Sequence, residues 1–270
     1  AGGGSGGYFY GCGGGAGGIV HAPEFPVEAG VTYKVSAGDG ADARPSSSGV
    51  GNNGNPSYFK PSPAPAAPSA TNLFAMKGGG GGYSGDPEQW MVPFLPEVGS
   101  TGGQVSPSDT SYRTPGFPGS TQHPTGLKYS NIGSADLPNT RGGGGGGAGG
   151  GGGPNQDGSI TTPAAPGGAG RAFPSFPAPV LAPAIPSPVR PNWTPAVGPT
   201  GLFGGGGAGY NSPGTVPRAP GGGGEWRDPS GGVIISAGVD YTGGGGAGPN
   251  PAPGAGGNGI VIITYPTEST

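Results

Sequence analysis

The glycine runs constrain this chain more than any other feature of its sequence. The longest reads GGGGGGAGGGGG over Gly142–Gly153, and glycine supplies 69 of the 270 residues. A glycine run has no side chains to bury, and it makes both a poor helix and a poor strand. If such runs are ordered, the order must come from backbone hydrogen bonds, because buried peptide groups have to be paired.

Proline, with 36 residues, favours the same backbone conformation as the glycine runs. The polyproline II helix has three residues per turn and no internal hydrogen bonds. Proline is already fixed near its φ, and glycine reaches it without strain. We therefore expect such helices to lie side by side as polyglycine II, bonded through their outward N–H and C=O groups. Collagen is disfavoured, because Ser57–Ala70 and Arg171–Val197 lack glycine at every third position.

These features predict an irregular fold with few β-strands and almost no α-helix. Packed polyglycine II and polyproline II helices would form a glycine-rich sandwich or bundle with long Pro-rich loops. We treat residues 1–270 as a single glycine-rich domain with Pro-rich inserts at 56–70, 88–137 and 154–199. The expected rods are Gly2–Gly18, Gly78–Gly85, Gly142–Gly153, Gly204–Gly209, Gly221–Gly224, Gly243–Gly248 and Gly254–Gly259.

Three segments carry enough Val, Ile and Tyr to predict β-strands. They are Val31–Ala37, Gly232–Ala237 and, as the strongest, the C-terminal segment Gly259–Tyr265. The Pro-rich segment Phe173–Val189 fits a polyproline II helix with an apolar stripe. We expect it to lie over the rods as an extended cover.

Charge and hydropathy argue against several classes of partner. The 11 Lys and Arg are scattered singly and the net charge is −3, whereas nucleic-acid binding requires clustered cations. No apolar stretch approaches the roughly 20 residues that cross a bilayer. Cys12 is the only cysteine and forms neither an internal disulfide nor a multi-cysteine zinc site. We interpret it as a small buried residue.

The sequence offers no set of catalytic or metal-binding residues. His21 and His123 stand in Pro-rich contexts and fit turns better than a nucleophile–base pair. Asp39 and Asp42 lie in GDGAD, which lacks the ligand pattern of a calcium loop and reads as a turn. The sequence therefore predicts no enzyme activity, no cofactor and no metal.

Aromatic residues in the inserts are the candidates for recognition. Tyr112, Phe117, Tyr129 and Trp193 are possible receptor or partner contacts, since flat rings with a polar edge suit exposed binding sites. Burial of the same rings over bare glycine backbone is the alternative. Asn192 begins the sequon Asn-Trp-Thr and is a candidate glycosylation site.

Both ends of the sequence resemble a known family. The segment GGNGIVIITYP, Gly256–Pro266, is similar to the closing strand of glycine-rich domains near the C-termini of bacteriophage tail-fibre and related virion appendage proteins. Thr264 stands where arginine is usual. The glycine clusters Ala1–Gly7 and Gly13–Gly18, followed by VEAGVTYKVSAGDGA at Val27–Ala41, fit the same family.

The resemblance implies an extracellular or virion fibre component, often oligomeric, in which loops between glycine rods contact a receptor. It implies no catalytic residue. In the family an apolar strand leads into the first glycine cluster, so the resemblance also implies residues before Ala1.

We therefore expect a structural or adhesive component of a phage tail fibre or similar virion appendage, at the virion surface or otherwise extracellular. Its partners would be other copies of itself, other fibre subunits, or a cell-surface receptor or glycan. The alternative is a subunit of a bacterial extracellular filament or matrix fibre. An ice-binding bundle of polyproline II helices is disfavoured by the single cysteine and the large irregular inserts.

Overall fold

The structure, a computed structural model, describes most of the chain in separate ranges. They are residues 11–43, 51–62, 73–75, 78, 82–83, 99–100, 102, 104–105, 122–123, 126–130, 133, 135–136, 142–153, 165–209, 215–227, 234–248 and 253–265.

Regular secondary structure within these ranges consists of short strands and two short α-helices, which confirms the prediction of an irregular fold. The strands are β1 Ile19–His21, β2 Tyr33–Ser36, β3 Ser57–Pro61, β4 Leu73–Ala75, β5 Gly82–Tyr83, β6 Gln104–Val105, β7 Gln122–His123, β8 Gly126–Tyr129, β9 Ala135–Asp136, β10 Arg171–Ala172, β11 Leu202–Phe203, β12 Thr215–Val216, β13 Trp226–Arg227 and β14 Ile234–Ile235. The helices are α1 Ala178–Leu181, a 3-10 turn Ala182–Ala184 and α2 Arg190–Val197.

The strands form small separate sheets around the glycine-rich part of the chain. Four of the sheets are antiparallel, in the orders β1-β8-β7, β2-β3-β4, β10-β11 and β12-β13-β14. The sheet β5-β6-β9 is parallel. Two predicted strands are confirmed, since β2 lies within Val31–Ala37 and β14 lies within Gly232–Ala237.

The predicted C-terminal strand is wrong. Gly259 donates its N–H to the carbonyl of Gly38, but residues 260–265 are not in a strand. A strand forms only where a neighbour completes its ladder of hydrogen bonds. Ile260 and Ile262 pack against the hydrophobic core instead, while Ile263 is 54% exposed and Tyr265 78% exposed.

Among the described residues, eight extended, glycine-rich segments form the centre of the fold, and we call them rods. Rod 1 covers residues 11–18, rod 2 covers 142–148, rod 3 covers 149–153, rod 4 covers 165–170, rod 5 covers 204–209, rod 6 covers 221–224, rod 7 covers 243–248 and rod 8 covers 253–259.

Rod 5 is entirely buried and bonds through its backbone to rods 1, 2, 4, 6 and 7. Its successive N–H groups point to different neighbours, and the direction repeats after three residues. Gly205 and Ala208 both donate to rod 6, whereas Gly206 and Gly209 both donate to rod 4. A chain with three residues per turn presents its donors in this way.

The same three-residue repeat links other pairs of rods. Gly13 and Ala16 donate to rod 2, which runs parallel to rod 1, and Gly14 and Gly17 donate to rod 7, which runs antiparallel. Parallel and antiparallel neighbours are thus mixed around one rod. The packing as polyglycine II stays a prediction, and this repeat supports it because three residues per turn is the repeat of that helix.

Two expectations about the rods need correction. The run Gly142–Gly153 is not one continuous rod, because the chain bends at residues 148–150 and Gly147 donates its N–H to the carbonyl of Gly150. Glycine permits this reversal without the steric cost a side chain would add. Rod 4 lies inside the insert expected to be a loop, where GGAG is its sequence signal.

Exposure along the outer rods also repeats every third residue. In rod 4, Pro166 and Ala169 are exposed while Gly168 is buried. In rod 8, Ala255 and Asn258 are half-buried and the glycines on either side of each are buried. The residues with side chains therefore occupy the open side of these rods.

A conventional hydrophobic core lies beside the rods, around α1 and α2. Trp193 is fully buried there, and its Nε1–H donates to the carbonyl of Tyr241 at 3.1 Å. The other buried members of this cluster are Tyr129, Ala148, Phe173, Ala178, Ile185, Ala196, Val197, Phe203 and Val239. The Pro-rich insert thus joins its own domain rather than projecting from it.

The segment Phe173–Val189 is not the extended cover that its composition predicted. It contains α1 and the 3-10 turn, each with proline at one of its first two positions, where no N–H is needed. Proline is also near the start of α2, and Gly198, with φ of 61°, ends that helix. Burial of Trp193 and Val197 on the rods compensates for helices too short to be stable alone.

Candidate functional site

The sheet β2-β3-β4 and the turn before it present aromatic side chains that are only half-buried, and we treat this surface as the candidate site for recognition. We call Phe25, Tyr33 and Phe59 the aromatic patch. The rings of Tyr33 and Phe59 are stacked, with centroids 4.9 Å apart and an interplanar angle of 8°. Phe25 meets Phe59 edge-on, with centroids 5.6 Å apart.

Strand register places these residues on one face. Val35 pairs with Phe59 and Tyr33 pairs with Pro61, so alternation along each strand points Tyr33, Val35 and Phe59 to the same side. The Oη of Tyr33 accepts a hydrogen bond from the N–H of Glu28 at 3.0 Å. The patch is therefore held by contacts within the sheet and its preceding turn.

Hydrogen bonds of the segment that follows β2 attach this sheet to rod 8. The Oγ of Ser57, at the start of β3, accepts the N–H of Gly38 at 2.8 Å. The carbonyl of Gly38 accepts the N–H of Gly259 at the end of rod 8. The backbone lattice thus fixes the position of the aromatic patch.

Two exposed valines lie close to the patch in sequence, and a lysine lies on the opposite face of the sheet. Val27 is 65% exposed and Val35 is 49% exposed. On the other face of the sheet the Nζ of Lys60 lies 4.6 Å from the ring centroid of Tyr58, within range of a cation–π interaction. These groups suit binding of flat or apolar partners, and they include no nucleophile–base pair.

The structure places the predicted contact residues differently from the sequence interpretation. Trp193 and Tyr129 both lie in the hydrophobic core, so the predicted surface role is corrected to a packing role for these two. Arg171 covers the ring of Tyr129, with the guanidinium carbon 4.6 Å from the centroid. Tyr112 and Phe117 lie outside the described residues.

Asn192 is exposed within α2, so its side chain is accessible at the surface, and its glycosylation stays a prediction. The aromatic patch was missed by sequence reasoning. Its signal was present in YKV and YFK, where rings and lysines share two short strands.

A second feature is the charged edge of the sheet β12-β13-β14. Arg227 donates from Nη2 to the Oε2 of Glu225 at 3.2 Å. Burial lowers the pKa of Arg218 from its ordinary value, the charge of Glu225 opposes that shift, and the charge of Arg227 adds to it. Glu225 and Arg227 therefore lie close enough to Arg218 for their charges to act on it.

Metal and thiol chemistry find no support in the described ranges. Those residues hold no group of three or more His, Cys, Asp and Glu side chains arranged to ligate an ion. Cys12 is buried in rod 1 and forms no disulfide. His21 lies in β1 with its ring edge-on to Phe173, at a centroid distance of 5.3 Å.

No helix within the described ranges has the length and apolar character needed to cross a membrane.

Comparison with known proteins identifies a family for the chain but no similar individual protein. No curated protein and no solved structure matches the sequence. A family model described as a glycine-rich domain matches residues 1–266. That match covers nearly the whole chain, including the rods, the sheets and the Pro-rich inserts between them. The protein therefore belongs to the glycine-rich domain family.

Proposed function

We propose that the chain is a structural and adhesive component of a phage tail fibre or similar virion appendage. The observation that carries this proposal is the backbone lattice around rod 5, which bonds to five other rods. A lattice of this kind uses no side chains, so it leaves them free to vary on the sheets and inserts outside. A backbone scaffold with variable outer side chains suits a protein whose surface must bind a host receptor.

The aromatic patch supplies a surface of the kind this function needs. Its three rings are half-buried on and beside a sheet that backbone hydrogen bonds join to rod 8. Aromatic rings with an apolar body and a polar edge are favoured where binding sites meet water. A cell-surface receptor or glycan is the partner we propose for this face, with other fibre subunits as partners elsewhere.

Localisation on particles tests the proposal directly. Antibody raised against the purified chain and coupled to gold is expected to label the appendages of virus particles in electron micrographs. A phage produced without this chain is expected to adsorb poorly to its host, with the unmodified phage as control. Label confined to free filaments, with particles unlabelled, would exclude a virion role.

A subunit of a bacterial extracellular filament is the second proposal, and one observation favours it. Rod 3 lies at the edge of the lattice, where Gly149 and Gly151 are exposed. Backbone exposed at an edge is a template for further pairing, and a rod of another copy offers the same three-residue repeat. Helical filaments assembled from the purified chain would favour this function over the first.

A further inference from the structure

Arg218 holds an unusual buried group. Its Nη1 is buried and makes no hydrogen bond, and no other buried side-chain nitrogen or oxygen in the described part of the chain is in this condition. Burying a guanidinium N–H without a partner is unfavourable, and native proteins pair nearly all such groups. An unpaired group of this type requires an explanation.

Other arginines in the described ranges have partners that Arg218 lacks. Arg190 donates from Nε and Nη2 to the carbonyl of Ile185, and Arg171 lies over the ring of Tyr129. Arg227 forms an ion pair with the carboxylate of Glu225. The fold thus satisfies guanidinium groups elsewhere, and Arg218 is the exception.

Strand register brings the charges at this sheet together. Val216 pairs with Trp226, which places Glu225 and Arg227 on the face opposite the buried Trp226 side chain. Arg218 follows β12 by two residues and feels the charges of both Glu225 and Arg227. Because Glu225 already pairs with Arg227, one positive charge remains in excess.

Arg218 is half-buried as a residue, so it lies at the boundary between the sheet and solvent. A guanidinium binds a carboxylate or phosphate through two parallel N–H···O bonds. An oxyanion at this position would pair the unsatisfied N–H and neutralise the excess charge in one step. A neutral ligand would pair the N–H but would leave the excess charge.

We propose that Arg218, assisted by Arg227, binds the carboxylate or phosphate group of an acidic saccharide. The oxyanion class follows from the unpaired guanidinium, and the saccharide source rests on the proposed adhesive function. The site lies on a different sheet from the aromatic patch.

The test uses the purified full chain at constant ionic strength, since exposed charges are screened by salt. Isothermal titration would be run with D-glucuronate, glucose 1-phosphate, inorganic phosphate and neutral D-glucose. We expect both acidic sugars to bind and to shift the Arg218 Nε resonance, while D-glucose does neither. The Arg218→Lys variant keeps the charge but loses the fork, so its affinity should fall about tenfold.

Arg190→Lys is the matched control, because the same change falls on an arginine whose N–H groups are already taken by a backbone carbonyl. It should bind like the unmodified chain. If Arg218→Lys does not fold, Arg227→Lys replaces it and should weaken binding, since it removes the second guanidinium.

Three results would overturn the proposal. They are absence of binding by both acidic sugars, binding of D-glucose as tightly as D-glucuronate, or equal binding by Arg218→Lys. Binding of inorganic phosphate alone would overturn the saccharide assignment. These measurements use the isolated chain, so a negative result overturns only the Arg218 site. The proposed virion function is tested separately, by whether virus particles carry the chain.

Discussion

The lattice of rods and the core around Trp193 are ordered in opposite ways. Rod 5 has almost no side chains and is held by backbone hydrogen bonds to five neighbours. The core is built from large side chains and short helices whose ends are set by proline and glycine. Added side-chain atoms should therefore destabilise the lattice, whereas removal of side-chain atoms should destabilise the core.

The largest expected effect comes from adding one methyl group to the lattice. A Cβ at Gly207 would overlap the carbonyl oxygen of Gly246, and the other nearest atoms are also backbone, which cannot move aside as a flexible side chain can. Gly207→Ala should destabilise the fold by about 5 kcal/mol or more, in the exceptional range for single substitutions. Chemical denaturation of the purified variant measures this.

Gly150→Ala is the matched control for the lattice, since the nearest atom to a new Cβ there is Ala169 N at 3.8 Å. Its stability should stay within about 0.5 kcal/mol of the unmodified chain. Equal losses for the two variants would contradict the close packing of the rods.

Removing atoms from the core comes next in size. Trp193→Ala deletes a fully buried ring and its hydrogen bond to Tyr241, so we expect a loss of about 3–5 kcal/mol. Asn192→Ala, at the exposed neighbouring position, should change stability by less than about 0.5 kcal/mol. Thermal unfolding followed by tryptophan fluorescence is suitable for Asn192→Ala, and chemical denaturation followed by circular dichroism for Trp193→Ala.

A junction between the two regions should show an intermediate effect. The hydroxyl of Thr242 donates to the carbonyl of Val239 at 2.6 Å and accepts the N–H of Gly244 at 3.1 Å. Thr242→Val keeps the shape but leaves these buried groups unpaired, at a cost of about 1–3 kcal/mol. Thr242→Ser keeps the hydroxyl, so a loss as large as that of Thr242→Val would argue against the hydrogen bonds.

The smallest effect belongs to the surface ion pair. The side chain of Arg227 is 52% exposed, so its pair with Glu225 is screened by water and salt. Arg227→Gln should cost less than about 1 kcal/mol, and the difference should shrink as salt is added. A loss that persists at high salt would show that Arg227 contributes packing rather than charge.

The rods were accessible from sequence because their argument needs only composition and the rule that buried peptide groups are paired. The bend at residues 148–150 was not, since glycine permits so many conformations that a run of it specifies no end point. Rod 4 was not predicted, because its short glycine segment stands within a Pro-rich insert. Three of its six residues, Ala165, Pro166 and Ala169, are not glycine, and its signal GGAG is brief.

The regions held by side-chain packing were harder to predict, because contacts with distant parts of the chain determine their conformation. Gly259–Tyr265 has strong strand propensity, but propensity cannot supply a partner for the ladder. The proline-rich segment before Val189 reads as extended, yet prolines at helix starts are compatible with short helices. Of the candidate contacts, Trp193 and Tyr129 were drawn into the core because burial of large rings is favourable wherever a surface accepts them.

The three-residue repeat of the rods sets a rule for insertions and deletions. Adding three residues to a rod advances it by one turn and leaves every later residue facing its former neighbour. Adding one or two rotates the rest of the rod by a third or two thirds of a turn, which would turn Ala255 and Asn258 from the open side of rod 8 into the lattice. Length changes in multiples of three should therefore be the ones that related chains tolerate within their glycine runs.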